Sequence, residues 1–421
     1  MLKRSYYGLL ATVSLSTFGD TFGLLAMEWL VYDLTGSKLA MGALALSSGI
    51  PELILRLLGS PLSDRLHRVR LMAGLAAVRF AAIALPLLMG LFGGLQLWHL
   101  FAAAMLSGAS SALFMPTAMA IVPDVAGQRK LTRAFAVIDS CRSAAVLLGP
   151  ALAGVLTAAS GALPALGINA LCYAAAIITL LTLPSASKKP AGSAGSFSLP
   201  AYLREIGEGF TFYRSFPAMF MIMLMASVSN LCNIAVWTMM VPYVREVLGR
   251  GAGAMGLLTT ASALGAITGL SVISFIGEIR QRRLVMLGSL SGIGLFTALW
   301  GLIPMFPFAL CAAFACGCMG PFFGSLSSSL HGTLVPAEMQ GRVNSIRFLI
   351  GGALQPFGAF AGGAIAELYG LPALFIAAGL FPILCAAAAL RLRGLKRLNG
   401  DLAGLPAVAA SGGSSTPSPA A

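Results

Sequence analysis

Seven ionisable side chains, Asp20, Glu28, Glu52, Arg56, Arg79, Asp139 and Arg142, stand inside stretches of otherwise apolar sequence. Charge in such surroundings is costly, and where it persists it marks a pathway, a proton relay or an internal ion pair. Asp20 is the leading candidate for proton chemistry. It falls about 13 residues into the first apolar stretch, or about 20 Å at 1.5 Å per residue, close to the middle of a bilayer. A carboxylate there can load and release a proton as it is exposed first to one side and then to the other. The competing reading is structural, a carboxylate bonded to a neighbouring serine or held by Arg79. Glu52 and Arg56 are four residues apart and Asp139 and Arg142 three apart, the spacings of ion pairs on one helical face. Each pair is either part of a proton path or an internal pair that lets charge sit inside a bundle. Glu28 lies further along the first stretch and is expected to line its outer vestibule.

A second concentration of charge is "GSPLSDRLHRVRLM", Gly59 to Met72, which packs Asp64, Arg65, His67, Arg68 and Arg70 into a connection too short to be a domain. A carboxylate at the end of the second stretch, Asp64, can accept hydrogen bonds from the free amides at the start of a neighbouring helix, for about 0.3–1 kcal/mol. Arg65 and Arg68 can pair with acids or with lipid phosphate. The plainer alternative is a cluster that only sets membrane topology.

The elements that hold these residues follow from composition. Of 421 residues, 58% are hydrophobic and 10% charged, against about 45–50% and about 25% in an average soluble domain. Mean hydropathy is +0.89, and the 49 glycines suit membrane helices. A hydrocarbon core about 30 Å thick needs about 20 apolar residues per helical span. Twelve stretches qualify, at about 7–32, 39–62, 71–93, 97–122, 135–159, 163–183, 217–243, 253–277, 284–303, 307–332, 345–366 and 371–390. The fold class expected is therefore all-α and polytopic, and membrane lipid is the first partner.

The net charge of +13 is a topology signal. If the N-terminus is cytoplasmic, 21 of the 27 Lys and Arg residues fall on the cytoplasmic connections and ends, against Lys38, Arg245 and Arg250 on the other side. Such asymmetry places both termini in the cytoplasm of a cell membrane, and nucleic acid is not an expected partner. The seven cysteines all fall inside spans without CxxC spacing, the usage of small apolar residues, so neither metal nor cofactor is expected.

The chain also repeats itself. "DRLHRVRLMAG" at Asp64 to Gly74 echoes in "EIRQRRLVMLG" at Glu278 to Gly288, "IVPDVAGQR" at Ile121 in "LVPAEMQGR" at Leu334, and "LPAL" at Leu163 in "LPAL" at Leu371. Two six-helix bundles related by an axis along the membrane normal are implied: residues 1–184, a cytoplasmic linker at 185–216, residues 217–393, and a low-complexity disordered tail at 394–421. The second part of the linker reads as a short amphipathic helix. In the repeat, Asn230 of the seventh span matches the depth of Asp20. Asn233 and Trp237 share its face, as substrate-cavity residues or as partners in interhelical amide bonding. The serine runs at Ser107 and Ser325 polarise the fourth and tenth spans, and His99 and His331 are expected to be interfacial.

Twelve spans in two repeats with a basic Asp-Arg loop after the second resemble the major facilitator superfamily. "FGDTFGLLAMEWLVYDLTGS", "IPELILRLLGSPLSDRLHRVRLM" and "LLGPALAGVL" are most similar to the branch of drug exporters that includes macrolide efflux proteins and the enterobactin exporter. "VPAEMQGRVNS" carries the match in the second half. The sequence departs from the family pattern at His67, Val69 and Ala153. The resemblance implies that Asp64 meets the eleventh helix near Asn344 and holds the halves closed on the inside. It also implies that Gly149, Pro150 and Gly154 form the motif associated with antiporters, where close packing and a bend seal the cavity against leak. The function implied is efflux of a hydrophobic or amphipathic compound in exchange for protons by alternating access. Export of a self-made siderophore, peptide or other metabolite is the alternative, and an intramembrane enzyme or non-transporting receptor the remote one. No Gly-x-x-x-x-Gly-Lys-Ser/Thr loop is present, so ATP hydrolysis is not expected. Neither catalytic residues nor an enzyme activity is expected, and the expected oligomeric state is a monomer.

Overall fold

The computed structural model describes residues 4–58, 67–126, 131–183, 210–336 and 339–392, with the single positions 204, 207, 395, 398 and 399 and without the side chains at 4, 57, 58, 341, 342, 345 and 348. Twelve helices long and apolar enough to cross a membrane lie within these residues. They are α1 (Arg4–Thr35), α2 (Lys38–Leu58), α3 (Arg68–Leu91), α4 (Leu97–Ala126), α5 (Leu131–Ser160) and α6 (Ala162–Leu181), then α7 (Pro217–Thr238), α8 (Ala252–Ile276), α9 (Arg282–Leu302), α10 (Phe306–Leu334), α11 (Gln340–Ala353 and Gln355–Tyr369) and α12 (Leu371–Leu390). No strand occurs among the described residues.

Two of the helices are interrupted where proline takes away a backbone donor. Pro242 cannot bond the Thr238 carbonyl, and α7 gives way to a short turn at Met240–Pro242 and a π turn at Tyr243–Val247. Pro356 does the same to Gly352, and α11 breaks at Leu354. The linker's helical tendency is visible at residues 210–215, which are helical and bury Phe212 and Tyr213 while exposing Phe210.

Packing repeats between the halves. Contacts of α1 with α5 and α6, of α2 with α4, and of α3 with α4 and α6 recur as α7 with α11 and α12, α8 with α10, and α9 with α10 and α12. The halves meet through α2 with α11 and α5 with α8, themselves a repeat-related pair. Each seam rests on glycine. A methyl at Gly154 would stand 2.8 Å from the Gly256 Cα, and one at Gly363 would stand 2.6 Å from the Lys38 carbonyl oxygen and 3.3 Å from the Gly42 Cα. Small residues allow this approach where lipid gives no hydrophobic drive for helix association.

Among the described residues, the hydrophobic core is continuous across both halves at one end and divided at the other. At the end holding Tyr32, Tyr243 and Trp300, a single core runs through both halves. At the end holding the chain start there are two separate cores, one around Tyr6, Met72 and Ile138 and one around Met219, Leu290 and Leu330.

Candidate functional site

The site begins with two glycines. A methyl at Gly19 would stand 2.8 Å from the Cys172 Cβ, and one at Gly23 would overlap the Asn169 amide at 1.8 Å. α6 therefore lies close against α1, and Tyr173, one turn beyond Asn169, reaches the Asp20 carboxylate. The Tyr173 hydroxyl donates to Asp20 Oδ1. From α3, Arg79 Nη1 donates to Asp20 Oδ2 at 3.2 Å and to the Tyr173 oxygen at 3.4 Å. The guanidinium carbon also sits 5.2 Å from the Phe114 ring centroid and 5.6 Å from that of Tyr173, within cation–π range. The two charges differ in access: the Arg79 side chain is 4% exposed, whereas that of Asp20 is 45% exposed. A fixed, buried cation thus presents a carboxylate that the surroundings can reach.

The other expected pairs form as their spacing indicates. Arg56 donates to Glu52, and Arg142 Nη1 donates to Asp139 Oδ1 at 3.3 Å. Arg68 donates to the Ala120 carbonyl at 3.0 Å and to Asp124 at 3.4 Å, joining the start of α3 to the end of α4. Arg282 likewise meets Glu278 at 3.0 Å. Asp64 and Arg65 lie outside the described residues. In α5, a methyl at Gly149 would overlap the Thr21 hydroxyl of α1 at 1.9 Å, Pro150 lies within the helix, and Gly154 forms the seam with α8.

On α7, Asn230 is exposed and donates to the Gly351 carbonyl at 2.8 Å, beside the break in α11. Asn233 is exposed as well. Trp237 is half-buried and meets Trp300 edge-on with centroids 6.3 Å apart. Ser327 is buried, its carbonyl lying 2.6 Å from His331 Nδ1, and His331 Nε2 is 3.0 Å from the Tyr213 hydroxyl. Burial pushes the Tyr213 phenol up to about 12, against the opposing pull of Arg347. His99 is also buried, bonded to the Gln96 backbone at the start of its own helix. Both histidines stand near the ends of their helices and are buried among protein groups there.

Sequence reasoning missed two features. Tyr173 was one, although Asn169 and Tyr173 make a polar stripe one turn apart in an otherwise apolar span. The other is the charged closure at the shut end. Arg245 pairs with Asp33 and stacks 5.2 Å from the Trp29 ring, while Glu246 accepts from Tyr32 and from Lys38, the latter at 2.9 Å. Glu367 at the end of α11 accepts from the Lys38 and Leu39 amides at 2.8 and 3.2 Å. It thereby caps α2 across the two halves, where the helix dipole favours an anion.

Comparison with known proteins agrees with this geometry. Residues 3–405 match the model of a family described as transmembrane secretion effector. The chain is 22% identical to macrolide efflux protein A of Streptococcus pyogenes, over 91% of this chain and 95% of that one. It is 25% identical to the multidrug efflux pump Tap of Mycolicibacterium fortuitum, over 92% and 95%. Its fold is similar to that of a bacterial homologue of the human lysosomal transporter Spinster, solved in an inward-facing, unoccupied conformation. The TM-score is 0.69 at 14% identity, covering 94% of this chain and 98% of that one. All three are transport proteins. A two-bundle membrane fold with one end shut, matched along nearly its whole length, identifies the chain as a member of the transmembrane secretion effector family of the major facilitator superfamily.

Proposed function

We propose that the protein is a secondary active exporter of a hydrophobic or amphipathic compound, driven by protons that Asp20 carries as the two bundles alternate between open ends. The observation that carries this reading is the asymmetry of the Asp20–Arg79 pair, in which the carboxylate is half-open and its cation buried. A proton arriving at Asp20 removes the charge that holds Arg79 and Tyr173, and this gives the carboxylate two states with different partners. The basic residues assign the open end to the cytoplasm, which makes this the inward-facing state, with both termini cytoplasmic. Glu52 with Arg56 and Asp139 with Arg142 serve as internal pairs beside the proton path. Asp64, Arg65 and Arg68 serve as the inner gate, and Gly149, Pro150 and Gly154 as the seal.

Within the superfamily we place the chain in the macrolide-efflux branch, as the named relatives support. Asn230, Asn233 and Trp237 contribute the opposing wall of the substrate cavity. A self-made siderophore or peptide fits the same cavity as a second substrate class.

The test is reconstitution in liposomes with an imposed pH gradient. Asp20→Asn keeps the size of the side chain and one of its two acceptor oxygens while removing titration. It should abolish uphill, gradient-driven transport and retain downhill flux, and Asp20→Glu should keep partial drive. Wild-type uphill transport by the asparagine variant would remove Asp20 from the mechanism.

A further inference from the structure

Arg56, Arg79 and Arg142 of the first bundle each hold a carboxylate. Arg347, on α11 of the second, pairs with none among the described residues. Its one hydrogen bond there runs from Nη2 to the Ser328 hydroxyl of α10, at 2.7 Å, although a guanidinium has five N–H donors. It stands one turn before Gly351, about 6 Å along the helix, and the Gly351 carbonyl is what Asn230 of α7 bonds. Since Asn230 matches the depth of Asp20, this unpaired cation lies within the membrane. Counted from the repeat-related glycines Gly149 and Gly358, its counterpart in α5 is the buried Ile138, so the charge belongs to one half only.

The surroundings give Arg347 an open side. The back of the site is closed by Val343, Ile346, Leu330 and Tyr213, all buried in the core of the second bundle. Arg347 itself is half-buried, and Asn344, Ser328 and Asn230, on the three helices around it, are exposed. This polar wall lies toward the end where the two cores are divided. A cation at membrane depth needs a counter-charge, and the protein supplies none from its described residues. We propose that the transported compound supplies it: Arg347 binds the carboxylate or phosphate of an amphipathic anion, whose apolar body extends along α7 toward the Trp237 indole, about 10 Å beyond Asn230. The planar fork of a guanidinium suits either group bidentately. This rests on the exporter reading above and assigns the substrate class of the same cavity, with substrate charge held in the second bundle and the proton in the first.

The experiment uses the full chain in phosphatidylcholine nanodiscs at one fixed pH, with fusidate as an amphipathic carboxylate and its methyl ester as the matched neutral probe. The wild type should bind the anion about tenfold or more tightly than the ester, as for a charged hydrogen-bonded contact. Arg347→Gln should abolish that preference while ester affinity changes less than about twofold, and Arg347→Lys, which keeps the charge without the fork, should fall between. Equal binding of anion and ester by the wild type would overturn the assignment. An Arg347→Gln protein that keeps the preference, or loses both ligands alike, would do the same. Two further arms separate the sources of anion: loss of the preference when one fifth of the lipid is phosphatidylglycerol would make Arg347 a headgroup site, and displacement of fusidate by inorganic phosphate at millimolar concentration would make it a small-anion site. Both outcomes contradict the proposal. Gradient-driven transport of the neutral ester tests the exporter reading by itself. If wild type and Arg347→Gln both drive it while the anion preference is missing, that reading stands and Arg347 alone is reassigned.

Discussion

In the N-terminal half, Gly149 of α5 meets Thr21 of α1; in the C-terminal half, Gly358 of α11 meets the Leu231 carbonyl of α7 at the repeat-related place. Likewise Gly108 packs against the Ser48 carbonyl, and Gly317 against that of Ser262, each leaving only 2.0 Å for a methyl. The close helix contacts are therefore duplicated. The charges are not. Where α1 has Asp20, α7 has Asn230; α2 has Glu52 and Arg56 but α8 has no charged residue; α3 has Arg79 at mid-span, whereas the charges of α9 are confined to Arg282 and Arg283 at its start. Duplicated glycines set the architecture, since each half packs its own helices at the same close contacts. Charge held by one half alone is chemistry that needs to occur once.

The sharpest way to break this comparison is to move the acid across the repeat. In the double variant Asp20→Asn, Asn230→Asp, a carboxylate stands at the matched depth of the other bundle without the Arg79 and Tyr173 that hold Asp20. Proton-driven transport in liposomes should stay abolished. Recovery to more than about a tenth of the wild-type rate would show that depth alone suffices.

The seams give the next largest effect. Gly154→Leu and Gly363→Leu each force a side chain against backbone at under 3 Å, and such overpacking costs about 1–3 kcal/mol. Both should shift the protein from this conformation toward one open at the opposite end, by similar amounts of about tenfold, read from spin-label distances across the shut end. A shift from only one of the two would deny the duplicated architecture.

What the sequence discloses and what it hides follow the same division. The twelve spans, the repeat and the i,i+3 and i,i+4 pairs are local or periodic, so apolar runs and spacing reveal them. The break in α7 has only Pro242 to announce it. Tyr173 is 153 residues from Asp20, and the approach of α6 to α1 depends on Gly19, Gly23 and Asn169 together, which no spacing rule encodes. Asn230 finds the Gly351 carbonyl beside the interruption in α11. The capping expected of Asp64 at the end holding the chain start has its physical counterpart at the shut end, where Glu367 of α11 caps α2. The same two helices are involved, but their pairing is a property of the assembled halves.

That outer cap yields the smallest effect. Glu367→Gln removes a charge from the α2 N-terminus, worth about 0.3–1 kcal/mol at an exposed site. It should raise the outward-open population about two- to fivefold, measured by cysteine accessibility from the outer face. The matching loss of inward-face labelling should accompany it, and an unchanged ratio would exclude Glu367 from closure.

The division of labour rests on Asp20 being the proton carrier of the N-terminal half, and proton release on substrate binding reports this without a membrane or gradient. Purified protein in weakly buffered solution, given a saturating neutral substrate, should release protons in the wild type and none in Asp20→Asn, with binding itself retained. Proton release of wild-type size from the Asp20→Asn protein would contradict it.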